Sequence, residues 1–419
     1  MVKKMQLGTK TLHCFSECPD IAGVELQTVI NSALRQLNVL IDNTYNAYKS
    51  KYPMATRPKL YVYIVENKID EINAFTDGQD IYIAAACMIG MHSYIKERLD
   101  TKKVNGERVV PKGLEVSSET RIYKYVLELI VAHELTHIWH SHSLWTKDTV
   151  RAKAPMLHLD DVTIFTEKVL VSELEIDEAK EKICEDSMYL TTTNGKLVVE
   201  HLADLHYLRQ ILEVDADCGA MNIVMMDLQH EINDICRKNL VGGDDQKRKE
   251  MRAIMGYHSY LIGLLMGAAG IMCGFFDSKR VGKPFDRLAT LLASDHPVPA
   301  IRFFKMQATL LAIVHDRYPD ESVAKFLLSE TSSFAIDIFM HDGTSMDLRN
   351  CFWAPAQTKD AQEFISLLDR GWNIIRDSLQ KYALTSIPDK YTDDQLKVQE
   401  GLIWYDSLGN PLKWSAEAL

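Results

Sequence analysis

The 419-residue chain has no excess of basic charge: 47 Lys and Arg face 58 Asp and Glu, a formal net charge of −11. A nucleic-acid protein needs a basic face that displaces counterions from phosphate, so no nucleic-acid partner is expected. Cysteine is sparse. Eight residues, Cys14, Cys18, Cys87, Cys184, Cys218, Cys236, Cys273 and Cys351, are scattered along the chain. That excludes a dense disulfide framework, and free thiols in a reducing, cytoplasmic location are the expectation. Only Cys14 and Cys18 lie close together, and a zinc knuckle would need a second such pair. No apolar run follows the charged start, so no signal peptide is expected. There is no internal repeat and no low-complexity tract, and no Gly-rich phosphate loop of the kind that binds ATP. What is present is ordinary globular composition, 47% hydrophobic and 25% charged, which rules out collagen-like, coiled-coil and wholly disordered chains. The length suits one large domain plus an accessory one.

Apolar residues at helical spacing predict a helix over 24–50. Two β-branched and aromatic runs, Leu60–Val65 and Ile81–Ala84, predict strands, with Ile72-Asn-Ala-Phe75 and the turn signal Asp77-Gly78 between them. Residues 100–120 read as a loop or insertion. A strongly apolar helix is predicted from Tyr123 to Trp139, buried on most sides. Helical patterning returns from Val198 to Arg237, and Gly242–Glu250 reads as a polar hinge or loop. From Ala253 to Phe276 no Asp, Glu, Lys or Arg occurs, long enough to span a bilayer at about 20 residues per helix. Gly263, Gly267, Gly270 and Gly274, with polar first turns, favour a buried core helix, with a membrane span as the rival. The chain ends in a hairpin-like stretch, Ile403–Trp414.

The chemistry concentrates in His133-Glu134-Leu135-Thr136-His137. Positions four apart share a helix face, so His133 and His137 can bind one metal ion, and Glu134 beside them can take a proton from water that the metal activates. Two imidazoles and a carboxylate are a usual hydrolytic set for zinc. Ordinary buried histidines are the alternative, but an unpartnered polar trio inside an apolar helix is costly. His140 and Ser143 exclude the metzincin pattern, which needs Gly and His there. The third ligand is therefore sought on a second helix. Glu213-Val-Asp-Ala-Asp217 places Glu213 and Asp217 on one face, with Glu213 as ligand and Asp217 accepting a ring N–H from a zinc histidine. Ala216, Cys218, Gly219 and Ala220 would let this helix approach closely. Glu173 to Asp177 offers the same spacing, but its charged surroundings look solvent-facing, so Glu213 is favoured. His140, His142 and His206 are read as packing residues or outer partners of the site, with ligation as the rival.

At these residues the chain resembles the gluzincin metallopeptidases of the HtpX and CAAX-prenyl-protease type. Four blocks follow the family's order: Asn73-Ala74-Phe75 with Ile81-Tyr-Ile83, His133-Glu-Leu-Thr-His137, Glu213-xxx-Asp217, and Asp295-His296-Pro-Val-Pro-Ala-Ile-Arg302. Three departures stand out. The family usually has Gly where Thr136 stands, about 75 residues separate His137 from Glu213, and multiple clear membrane spans are missing. The phage-exclusion Lit-type peptidases share the zinc motif and stand beside that type as a second candidate branch. The resemblance implies an α+β, mainly helical zincin-like fold with a small sheet over the zinc helix. It also implies a peptidase domain over 1–317 (insertion about 145–197) and a C-terminal accessory region over 318–419.

The function implied is a Zn²⁺-dependent endopeptidase acting on protein or peptide, with Zn²⁺ on His133, His137 and Glu213 and with Glu134 as base. His296 and Arg302 are expected to stabilise the tetrahedral oxyanion; the alternative is a capped helix start with Arg302 paired on the surface. Asn73, Ala74 and Ala84 are expected to line the substrate as an edge strand. The alternatives are a catalytically silent zinc scaffold, or a membrane-embedded protease using 253–276.

Overall fold

The computed structural model describes residues 5–7, 10–14, 62–66, 74–76, 80–98, 118–152, 191–193, 196–199, 202–239, 244–277, 281, 296–317, 352, 354–356, 358–396, 404–405 and 411–412. Within them the protein is mainly helical with small sheets, an α+β arrangement. The expected helix over 24–50 lies outside the described residues.

Five strands form one sheet: β1 (Met5–Leu7), β2 (Lys10–Cys14), β3 (Val62–Glu66), β4 (Ala74–Thr76) and β5 (Ile81–Ala84), in the order β1-β2-β3-β5-β4. β3 and β5 run parallel, with Val62 opposite Ile81, and β4 pairs antiparallel with β5. Side chains alternate across such a sheet. Ile81 and Ile83 therefore join the main core, while Tyr63, Phe75 and Tyr82 stack on the other face, with ring centroids 5.6 and 5.0 Å apart. β5 runs directly into α1 (Ala85–Arg98).

The centre is α2 (Ser118–Trp139), in which every residue from Arg121 to Ile138 is buried. It packs against α4 (Leu202–Asn239), α5 (Asp244–Phe276), α1 and β4, after a short α3 (His142–Thr149) has reversed the chain. Gly219 lets α2 and α4 meet. A Cβ there would lie 2.5 Å from both Cγ2 and Oγ1 of Thr136, well inside van der Waals contact. The threonine that stands where the resembled family has glycine thus fits room left by a glycine on the facing helix.

His258–Phe276, long and apolar enough to cross a membrane, is mostly buried against its neighbours, as the core-helix expectation had it. The predicted hinge is revised: from Asp244 onward it is the first part of α5. Acidic residues suit a first helical turn, and Gln, Lys, Arg and Glu are good helix formers, so polarity here marked a helix start.

α6 (Pro299–Arg317) begins with proline at a position where its missing N–H costs nothing. α7 (Lys359–Leu379), capped by Thr358, shares a second apolar cluster with α4 and α6 that includes Ile211, Ile301, Phe364, Leu368 and Trp372. The region after 318 is also tied to the centre by polar contacts. Lys305 on α6 pairs with Asp369 at 2.5 Å, and the Leu384 N–H caps the Trp139 carbonyl at 2.6 Å. In the expected insertion, β6 (Val150–Ala152), β7 (Thr191–Thr193) and β8 (Lys196–Val199) form a three-stranded sheet. The hairpin expected at the end is present as β9 (Trp404–Tyr405) paired with β10 (Pro411–Leu412).

Candidate metal centre

Two long helices supply the site. α2 carries His133 and His137 one turn apart, and α4 crosses it with Glu213. All three are buried, and their ligand atoms lie within 4.8 Å of one another. The Nε2 atoms of His133 and His137 are 3.2 Å apart. Glu213 Oε2 is 3.3 Å from His133 Nε2, and Glu213 Oε1 is 3.5 Å from His137 Nε2. An ion held tetrahedrally at about 2.0–2.1 Å by N and O ligands sets those atoms about 3.3–3.4 Å apart. The spacings of the trio are of that size, with a different Glu213 oxygen toward each ring, and the three residues could hold a metal ion.

Each of the two histidines has an outer partner. His133 Nδ1 lies 2.9 Å from Asp217 Oδ1. Asp217, with no exposed side-chain surface, receives two further bonds of 2.8 Å from Arg302 Nε and Nη2. This fork-to-carboxylate pair fixes the acceptor that fixes the ring. On the other side, His137 Nδ1 lies 2.7 Å from His142 Nδ1, and His142 Nε2 lies 3.0 Å from Asp215 Oδ2. Asp215 also pairs with His140 Nδ1. Ser141, in the left-handed region at φ 56°, makes the sharp reversal between α2 and α3 that brings His142 back beside His137.

The electrostatics follow these partners. Burial disfavours charge on His133, yet its bonds to Asp217 and Glu213 raise the ring to about 10, so a metal ion bound there would have to displace a proton. Burial would also raise Glu213, but neighbouring His296, His133 and His137 hold it well below the ordinary carboxylate range. Asp217 is lowered against its burial, chiefly by Arg302, and Asp215 is lowered chiefly by His140. Burial drives His142 down to about 4, so that ring is neutral. Glu134 is buried beside the trio, and desolvation raises its carboxyl.

The structure brings His133, Glu134, His137, Glu213 and Asp217 together as the sequence placed them. His296 also reaches the site: its half-exposed side chain, 49% accessible, puts Nδ1 3.1 Å from Glu213 Oε2. Arg302 differs from the expectation on both counts. It is buried, so it does not pair on the surface, and Nε and Nη2 are both committed to Asp217. Asn73 and Glu173 lie outside the described residues. Ala74 belongs to β4, one of the two edge strands of the five-stranded sheet as described, and packs toward the core. Ala84 is corrected. It ends β5, is buried and pairs with Val65, and β5 lies between β3 and β4, so its strand is not an edge of the sheet. Sequence reasoning gave Asp215 no role. Two residues from Glu213, it faces away from that side of α4, and only the reversal at Ser141 brings histidines to it. Comparison with known protein families, with curated proteins and with solved structures finds no match.

Proposed function

We propose that the protein is a zinc-dependent endopeptidase with a zincin-type centre, in which His133, His137 and Glu213 hold the ion. The observation that carries this is a buried His-His-Glu trio whose imidazole nitrogens and carboxylate oxygens lie 3.2 to 3.5 Å apart, with a second buried glutamate alongside. Zinc suits two imidazoles and a carboxylate with one position left open. When bound, the ion supplies Lewis acidity, lowering the pKa of water and polarising the scissile carbonyl.

The chain supplies the rest. Glu134, its carboxyl raised by burial, takes the proton from the attacking water and returns it to the leaving amine. His296, at the accessible side of Glu213, donates toward the oxygen that gains charge as the carbonyl is attacked. Arg302 acts at one remove by holding Asp217, and Asp217 holds His133. An extended peptide fits as an added strand along β4, which packs against α2 and whose other side is a sheet edge among the described strands. Such pairing reads backbone groups and suits a peptidase that accepts varied side chains.

The test is hydrolysis of an unfolded protein such as casein by the purified chain. Cleavage should stop with a chelator, return with Zn²⁺, and be missing in Glu134→Gln. Turnover that survives in Glu134→Gln contradicts the peptidase mechanism.

A further inference from the structure

His140, His142 and Asp215 form a second buried trio whose ligand atoms converge as those of the first do. Two readings compete for it: a second metal ion, or a support for the first. The hydrogen positions decide between them, because a neutral imidazole carries one proton and offers one lone pair.

The count begins at His137. To ligate through Nε2, this ring must keep its proton on Nδ1. That proton points at His142 Nδ1, 2.7 Å away, which must then be the acceptor. The His142 proton is therefore on Nε2, where Asp215 Oδ2 accepts it at 3.0 Å. The same carboxylate accepts from His140 Nδ1. Every donor meets an acceptor, and the lone pair that a second ion would need on His142 Nε2 is occupied by hydrogen. Reversing the chain of bonds frees His142 Nε2 for an ion but puts a hydrogen on His137 Nε2, which removes His137 from the first trio. The two trios cannot both hold metal while these rings stay neutral.

We propose that His142 and Asp215, with His140, are positioning residues that fix the tautomer and orientation of His137, and that this second trio is not a metal site. The inference rests on the first trio being the metal centre. His133 is served by a carboxylate held by arginine; His137 is served by an imidazole held by a carboxylate. Both outer chains originate on α4 within four residues of Glu213, so the helix that gives the third ligand also orients the other two.

The test is a Zn²⁺ titration of the full chain against a chromophoric chelator, with Co²⁺ absorption as a second readout. Wild type should take one equivalent. His142→Phe keeps a flat ring but offers no acceptor, and should weaken Zn²⁺ about 10–100-fold. His142→Gln can accept from His137 through its carbonyl and donate to Asp215 through its amide. It should stay within about 3-fold of wild type and keep the Co²⁺ spectrum. If the Phe variant does not fold, Asp215→Asn takes its place, with about tenfold weaker binding expected. Two equivalents in wild type with one lost in His142→Gln would overturn the proposal. So would a Gln variant as weak as Phe, or Phe and Asn variants as tight as wild type. Failure of the peptidase reading would show separately, as hydrolysis that survives in Glu134→Gln, and leaves this titration intact.

Discussion

α2 and α4 bury two polar clusters along their shared interface, and the two ends treat their carboxylates in opposite ways. At the end that holds His133 and His137, each of Glu213, Asp215 and Asp217 faces at least two partners that can donate to it, and all three are lowered. At the other end, Arg121 and Lys124 of α2 meet Glu231 of α4 at 2.7 and 3.3 Å, but Glu128 has no hydrogen bond among the described residues. Its nearby cation, Lys124, is 3.5 Å away. Burial, then the charges of Asp227 and Glu231, raise Glu128 to about 8 against the pull of Lys124. Burial alone therefore does not make a site. A site is where donors and acceptors converge on a common point. The charged end instead joins two helices and leaves one carboxyl protonated near neutral pH.

The same substitution at two buried glutamates separates the ends most widely. Glu134→Gln should lower peptide turnover by about 10²–10⁴-fold with zinc content unchanged. Glu128→Gln should leave turnover within about 2-fold, because an amide replaces an already neutral carboxyl. A comparable loss from Glu128→Gln would merge the two clusters into one functional unit.

Next in size is the anchor behind His133. Asp217→Ala leaves the buried Arg302 guanidinium without its partner, and a broken buried pair costs about 3–5 kcal/mol. Denaturant unfolding should show that loss. A change below about 1 kcal/mol would mean that water reaches Arg302 and the site is open where the structure closes it.

The helix contact between the two ends comes third. Gly219→Ala forces a methyl onto Thr136 and should cost about 1–3 kcal/mol. Adding Thr136→Ala removes both 2.5 Å contacts and should restore part of that stability, as double-variant unfolding would show.

The smallest effect is the pH dependence at the charged end. Burial on folding pushes the Glu128 carboxyl up from the ordinary 4.5 to about 8. Its contribution is therefore fully present below the lower value and is lost as pH rises through the upper one. Glu128→Gln should match wild type at pH 5 and melt higher at pH 9, by on the order of 1 kcal/mol or about 2–4 °C. Equal melting temperatures at pH 9 would mean that Glu128 finds a donor.

Much of this contrast was legible in the sequence, because local spacing carries it. His133 and His137, and Glu213 and Asp217, lie four apart on helices, so the candidate ligands and one outer partner followed from periodicity. The small residues around Gly219 signalled a close helix approach. Asp215, His140 and His142 were not legible as a unit, since their meeting depends on a left-handed residue at Ser141 and on the facing side of α4. Arg302 was misjudged because its spacing from His296 said nothing of which carboxylate waited across the interface. Ala84 was misjudged because a strand's own sequence does not show whether it sits inside a sheet or at its edge.

The central claim is that two helices build one zinc centre with Glu213 as the third ligand. Its most direct test is the metal content of the purified chain beside Glu213→Ala and Glu173→Ala. One equivalent of zinc in wild type and in Glu173→Ala, with occupancy lost in Glu213→Ala, is the expected result. Full zinc in Glu213→Ala together with loss in Glu173→Ala would contradict it.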